Sequence, residues 1–135
     1  MQKNRLTMQE IWMNTALLLS KRSTCSRLKV GCVITNQDLT QVYSVGYNGN
    51  YKGGPNKCDS KTPGACGDIH AESNALIKVK VNDLLKVMFV TTIPCKSCTK
   101  LIINSGFSKI FYHNEYRLDE SKSILRKVGI LYERI

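Results

Sequence analysis

His70-Ala71-Glu72 and, further along the chain, Pro94-Cys95-Lys96-Ser97-Cys98 are the residues whose types and spacing suit chemistry. One histidine and two cysteines supply three metal ligands. Three protein ligands leave the fourth position of a tetrahedral zinc open to water, the arrangement of a catalytic rather than a structural site. Glu72 is then a carboxylate that ligation does not need, and it is available for proton transfer. Cys95 and Cys98 are three apart, so on a helix they stand on one face. Pro94 before them and residues 96–103 after them read as a loop entering a helix. The free N–H groups and dipole at such a terminus favour thiolate, the form that binds metal. His70 and Glu72 are two apart, about 200° around an α-helix, so both would not ligate one ion from a regular helix. At a helix start, His70 ligates while Glu72 faces a substrate. Cys-x-x-Cys alone also reads as a redox pair or half a zinc ribbon. Joined to His-x-Glu, it predicts a metal that activates water beside a proton carrier.

These residues must be positioned by elements the rest of the chain provides. Thr7-Met8-Gln9-Glu10 is a capping box that predicts a helix to about Ser20, with Ile11, Thr15, Leu18 and Leu19 on one face. Residues 21–29 form a basic loop. Residues 30–35 read as a buried strand, 36–38 as a turn and 42–47 as its hairpin partner. Residues 48–69 have no clean period and hold five glycines, two prolines and two cysteines, so a segment of this length is functional or pinned. Residues 70–80 are predicted helical, 86–92 a strand delivering Pro94-Cys95, and the next helix ends at Ser105 before Gly106. Strand 109–113, helix 119–128 and strand 130–134 complete the pattern. Strands alternating with helices after a hairpin predict an α/β domain with a mixed, largely parallel sheet and helices on both faces.

At 135 residues the chain has room for one domain, 1–135, with a sizeable core. No apolar stretch is long enough to cross a membrane and the first residues lead into no signal-peptide run, so no membrane partner and a cytoplasmic location are expected. Six cysteines in such a chain read as reduced or metal-binding. A net charge of +10 favours an anionic partner, nucleotide phosphate or nucleic acid, without choosing between them.

His-x-Glu followed by Pro-Cys-x-x-Cys is the signature of zinc nucleobase deaminases. The chain resembles the deoxycytidylate (dCMP) deaminases of bacteria and bacteriophages, in the zinc-dependent cytidine and deoxycytidylate deaminase superfamily. The resemblance is carried by 22–27 (Arg-Ser-Thr-Cys-Ser-Arg) with Val30-Gly31, by Gly46-Tyr47-Asn48-Gly49, by 70–75 (His-Ala-Glu-Ser-Asn-Ala) and by 94–106. It implies a cytidine deaminase-like three-layer α/β/α sandwich around a five-stranded mixed sheet. It also implies hydrolysis of dCMP to dUMP and ammonia by a zinc-activated hydroxide, supplying dUMP for thymidylate synthesis. Zn2+ is expected at His70, Cys95 and Cys98, with Glu72 as the proton shuttle. Substrate contacts are expected from Asn48 and Ala71, and Arg22, Ser23 and Arg27 are candidates for the 5′-phosphate. Phe111 and Tyr112 are candidate aromatic walls; each is also a plain core residue in a strand. Cys25, Cys58 and Cys66 flank loops that a second, structural zinc ties together in some relatives, although Lys57 stands where a histidine ligand is found. Cys32 reads as a buried hydrophobe and His113 as a non-ligand. The resemblance further implies a homo-oligomer, a hexamer, activated by dCTP and inhibited by dTTP through Gly46, Tyr47, Gly49 and Lys52, a segment whose glycines equally serve tight turns. Two other readings stay open: a deaminase acting on tRNA or single-stranded DNA, and a non-catalytic zinc module. The first lacks an evident aromatic and basic stacking track; the second leaves Glu72 without a purpose.

Overall fold

The computed structural model of the protein describes residues 4–58, 67–116 and 120–135. Thr7 caps helix α1 (Met8–Ser20) through the predicted box: its hydroxyl accepts from the Glu10 amide at 3.1 Å, and its own amide donates to Glu10 Oε1 at 3.1 Å. There follow β1 (Gly31–Thr35), β2 (Val42–Tyr47), α2 (Ala71–Leu76), β3 (Lys86–Thr92), α3 (Lys96–Ser105), β4 (Phe107–Asn114), α4 (Ser121–Val128) and β5 (Leu131–Arg134). The strands form one sheet in the order β2-β1-β3-β4-β5. β1 runs antiparallel to both β2 and β3, whereas β3–β4 and β4–β5 are parallel. The sheet is mixed in equal parts rather than largely parallel, because β1 lies inside it, between its hairpin partner and β3.

Side chains alternate along β3. Val87 and Phe89 face α1, while Met88 and Val90 face the other helices. Among the described residues, α1 is the helix on the first face, packing through Met13 and Ala16 against Val33, Phe89 and Phe111. Helices α2, α3 and α4 cover the second face through Ala71, Ala75, Ile102 and Leu125. The result is the three-layer α/β/α sandwich.

Three boundaries or faces differ from expectation. The face of α1 turned to the sheet is centred on Met13 and Ala16, and Leu18, expected inside, is 66% exposed. The choice is made by β1: a Cβ on Gly31 would stand within 1.9 Å of the Ala16 carbonyl oxygen, so this stripe alone lets the helix approach. Helix α2 stops at Leu76 rather than near Lys80. Beyond it Lys78 and Val79 donate to carbonyls three residues back, and the β-branched Ile77, Val79 and Val81 weaken the helix there. Strand β4 is longer than predicted, starting directly after Gly106, whose φ of 84° turns the chain out of α3. The start of the helix expected from 119, together with residues 59–66 and thus Cys66, lies partly or wholly outside the described residues.

Candidate functional site

Two helix starts converge beside the end of β3. His70 is the N-cap of α2 and Cys95 the N-cap of α3, both in extended backbone geometry and neither using its side chain as a cap. Cys98 follows one turn later on the same face. His70 Nδ1 lies 3.2 Å from Cys98 Sγ and 3.6 Å from Cys95 Sγ, and the three ligand atoms all fall within 4.8 Å of one another. A tetrahedral zinc with its ordinary bond lengths separates nitrogen and sulfur ligands by about 3.6 Å. The donor set and its spacing therefore fit zinc.

The electrostatics of the group agree. Hydrogen bonds from Cys98 and then from His70 push the Cys95 thiol down to about 4, while the shared hydrogen bond with Cys95 holds the Cys98 proton and raises that thiol. The hydrogen bond with Cys95 raises His70 against its partial burial. Glu72, in the first turn of α2, is 4% exposed, and burial holds its carboxyl above the ordinary glutamate range.

These residues open on a cavity of about 500 Å³. Cys25, Arg27, Leu28, Val30, Asn48, Asp68, Thr92, Ile93 and Tyr116 line it, with His70, Ala71, Glu72 and Cys95 from the helix starts. The frame around the cavity explains why the motifs occur together. A Cβ on Gly46 would come within 2.5 Å of the Ala71 carbonyl oxygen and 2.7 Å of the Ala75 amide, so a glycine there lets α2 settle onto β2. Asn74 donates to the Tyr47 carbonyl at 2.9 Å. Asn48 accepts from the Val30 amide at 2.8 Å and donates to the Leu28 carbonyl at 2.7 Å. Gly49 and Ile69 form a β-bridge that ties the irregular segment back to the residue before His70.

The expected substrate residues divide. Arg27, Asn48 and Ala71 line the cavity; Arg22 and Ser23 do not. The buried Ser23 hydroxyl accepts from the Cys25 amide at 3.1 Å, and its carbonyl accepts from Lys29 Nζ at 2.8 Å, so it builds the turn. The aromatic wall expected at Phe111 and Tyr112 is not there. Phe111 stacks on Phe89 at 4.9 Å between centroids on the α1 face, and Tyr112 is core, its hydroxyl donating to Glu115. Among the described residues, Tyr116, just past β4, is the aromatic side chain in the lining. Of the segment expected to read effectors, Gly46 and Gly49 are buried, Tyr47 is half-buried and Lys52 is exposed. Cys32 is fully buried as expected, with burial raising its thiol, and His113 is exposed, bonded through Nδ1 to the Ile135 carbonyl at 2.7 Å.

A second cluster lies beside the first. Cys25 Sγ and Cys58 Sγ are 3.6 Å apart, and an Asp68 carboxylate oxygen completes a group within 4.8 Å. Burial opposes ionisation of Cys25, but backbone hydrogen bonds at Leu28 and Arg27, with the Cys58 thiol, hold it below the ordinary thiol value. Both Asp68 oxygens are buried without a hydrogen-bond partner among the described residues. Asp68, Thr92 and Tyr116 escape a reading by motif. For Asp68 the available signal was an acidic side chain two residues before the candidate metal ligand His70; for Thr92 it was strand register, and for Tyr116 its place just past β4.

Two helix starts that bring a histidine, two thiols and a spare carboxyl together beside a cavity carry the donor set of the zinc nucleobase deaminase signature. The family model described as the cytidine and deoxycytidylate deaminase zinc-binding region matches residues 6–114, and the chain belongs to this family. It is 32% identical over 122 residues to the deoxycytidylate deaminase of Mycobacterium phage D29, covering 78% of this chain and 94% of that protein. It is 33% identical over 132 residues to the deoxycytidylate deaminase of Saccharomyces cerevisiae, covering 88% of this chain. The chain spans 42% of the length of that relative and 41% of the Schizosaccharomyces pombe one. The crystal structure of dCMP deaminase from the cyanophage S-TIM5 in complex with dCMP and dUMP superposes with a TM-score of 0.85 at 30% identity, covering 97% of this chain and 100% of that one.

Proposed function

We propose that the chain hydrolyses dCMP to dUMP and ammonia. The observation that carries this reading is the ligand cluster of His70, Cys95 and Cys98 beside a cavity that His70, Cys95 and the buried Glu72 line. Similarity to phage enzymes matched over 78% and 97% of this chain, one of them bound to dCMP and dUMP, supports the choice of substrate. His70, Cys95 and Cys98 hold zinc, which when bound lowers the pKa of a water from 15.7 to about 7. Glu72 takes the proton of the attacking water, delivers it to ring N3 and then assists the departing amine. Ala71 and Asn48 bound the pocket, Asn48 by fixing Leu28–Val30. Arg27 is assigned the 5′-phosphate, because the residue lines the cavity and a guanidinium forms charge-assisted bonds to phosphate. The test is the loss of cytosine absorbance with dCMP beside deoxycytidine, cytidine, a deoxycytidine-containing oligonucleotide and a tRNA anticodon stem. Turnover confined to dCMP is expected. Turnover of the polymers alone, or of none, defeats the proposal.

The second cluster is assigned a structural cation held by Cys25, Cys58 and Asp68, with Cys66 as the further candidate ligand. Two buried carboxylate oxygens without partners favour a cation there. Wild-type protein is expected to hold two equivalents of zinc and Cys58→Ala one; one equivalent in both refutes the assignment. By family resemblance we also assign a cytoplasmic homohexamer activated by dCTP and inhibited by dTTP. The exposed Lys52 beside Gly53, whose φ is 86°, is compatible with a phosphate-binding loop. Sedimentation as a hexamer, and sigmoidal dCMP kinetics that become hyperbolic with dCTP, are the expected results. A monomer with hyperbolic kinetics throughout contradicts them.

A further inference from the structure

Asn74 and Tyr47 stand in two separate sequence motifs, and the fold joins them. The Tyr47 carbonyl accepts from the Asn74 side-chain amide at 2.9 Å. The peptide between Tyr47 and Asn48 closes β2, an edge strand of the sheet. Its N–H donates to the carbonyl of Val30, just before β1, at 3.2 Å. In a trans peptide the C=O points the opposite way, here off the sheet edge, where no further strand stands beside β2 among the described residues. Asn74 supplies the donor from α2. The backbone N–H of Asn74 is engaged too, donating to the His70 carbonyl at 3.0 Å. One residue therefore ties the backbone of a candidate metal ligand to the backbone of Asn48, and both His70 and Asn48 line the cavity.

Local preference does not account for an asparagine here. Helix α2 has six residues, too few to hold its shape unaided, and asparagine is a poor helix former. The bond to a carbonyl needs a donor, which the amide has and an aspartate of the same size lacks. Gly46 lets α2 and β2 approach, but apolar contact is non-directional and leaves rotation of the helix about its axis free. A hydrogen bond is directional and fixes it. We infer that Asn74 is a positioning residue for the deamination. Its bond to Tyr47 sets the rotation of α2 against β2, and so the placement of Glu72 relative to the wall to which Leu28, Val30 and Asn48 belong. The inference rests on the deaminase reading and adds a residue outside its metal and proton-transfer groups. Asn74 stays out of the cavity lining and acts through Glu72 and Asn48. Misplacement of reacting groups by about 1 Å can cost about 10²-fold in rate.

The experiment compares wild type, Asn74→Leu, Asn74→Asp and Tyr43→Phe. The last deletes another hydrogen bond of β2, that to Asp83, between residues that do not line the cavity. Zinc content, melting temperature, dUMP affinity by calorimetry, and KM and kcat on dCMP are measured, the kinetics where each variant is fully folded. Both Asn74 variants are expected to lose kcat by about 10- to 100-fold. Their KM and dUMP affinity should stay within about 3-fold of wild type, because the groups that touch the nucleotide remain. Their zinc content should equal that of the wild type. Tyr43→Phe should melt lower and keep the wild-type kcat. An unchanged kcat in a folded Asn74 variant, beside a wild type that turns over dCMP, overturns the inference alone. An equal loss of kcat in Tyr43→Phe also overturns it, since any loosening of β2 then has the same effect. So does loss of zinc, which moves the effect to His70, and so does a change confined to KM and dUMP affinity, which marks a binding role. Failure of both Asn74 variants to fold, read by circular dichroism, assigns the residue to the fold alone and rejects the inference. A wild type without turnover of dCMP defeats the deaminase reading and this inference with it.

Discussion

Glu72 lies at the meeting point of packing and chemistry. It is buried in the first turn of α2 and lines the cavity together with His70 and Cys95. Glutamine keeps the volume and a hydrogen-bonding head but has no transferable proton. Glu72→Gln should therefore retain the metal content of the wild type and lose kcat by about 10²–10⁴-fold, the range of general acid–base catalysis. Metal analysis beside a dCMP assay checks this, and loss of zinc with activity would make Glu72 a ligand instead. The four residues of this centre were legible in the sequence because each motif is local: His-x-Glu and Cys-x-x-Cys each sit on one helix start, and spacing alone sets their geometry. Asp68 was not legible. Its two buried, unpartnered oxygens are set by what packs around it, from elements far along the chain.

At the scale of elements, the site depends on how closely α2 and β2 approach. Gly46 has no Cβ to hold them apart, and Ser44 one register step away donates to the Ala75 carbonyl at 2.6 Å. Gly46→Ala would place a methyl within 2.5 Å of backbone in the helix that carries His70 and Glu72, so one of the two elements must shift. We expect a loss of about 1–3 kcal/mol in unfolding free energy, the usual cost of overpacking, with a fall in kcat beyond what the folded fraction explains. Denaturant unfolding and kinetics at a temperature where the variant is fully folded separate the two effects. A second tie, on the same side of β2, is sensitive to pH. Tyr43 donates to Asp83 at 2.7 Å, and this bond, with that from the Leu85 amide, holds Asp83 below the ordinary carboxylate range. A depressed carboxyl adds stability that is present above its unfolded pKa and is lost as pH falls through its folded value. Tyr43→Phe should melt below the wild type at neutral pH, and the gap should close as pH drops below about 3.9. A gap constant down to acid pH would assign the loss to packing alone. Element identities were legible from capping, glycine and periodicity signals, whereas the buried face of α1 was not, because it is chosen by the Gly31 groove in a strand it meets only on folding.

Across the whole molecule, Lys and Arg number 20 against 10 Asp and Glu, and the two carboxylates that line the cavity, Asp68 and Glu72, are buried. A nucleoside monophosphate is a dianion near neutral pH, so a net charge of +10 attracts it over distances longer than any contact. Arg27 lines the cavity, and the proposed phosphate contact would make it the short-range end of that attraction. The two contributions respond differently to salt. Long-range attraction between exposed charges fades as the Debye length shrinks from about 10 Å at 0.1 M salt toward 3 Å at 1 M. A charge-assisted bond inside a partly enclosed pocket is screened much less. The expected result is that kcat/KM for dCMP falls by roughly 3- to 10-fold between low salt and about 0.3 M, as electrostatic steering is lost. Deoxycytidine, which lacks the phosphate, should show no such slope, and its low efficiency should be nearly independent of salt. Arg27→Gln should lower kcat/KM for dCMP at every salt concentration while leaving most of the slope in place, because it removes one of the 20 positive charges but the local phosphate partner. Parallel salt dependence for the two substrates would mean that the charge serves the protein's own surface or a polyanion rather than the nucleotide. A slope abolished by Arg27→Gln would place the whole electrostatic effect at that one side chain and leave the other basic residues without a part in substrate capture.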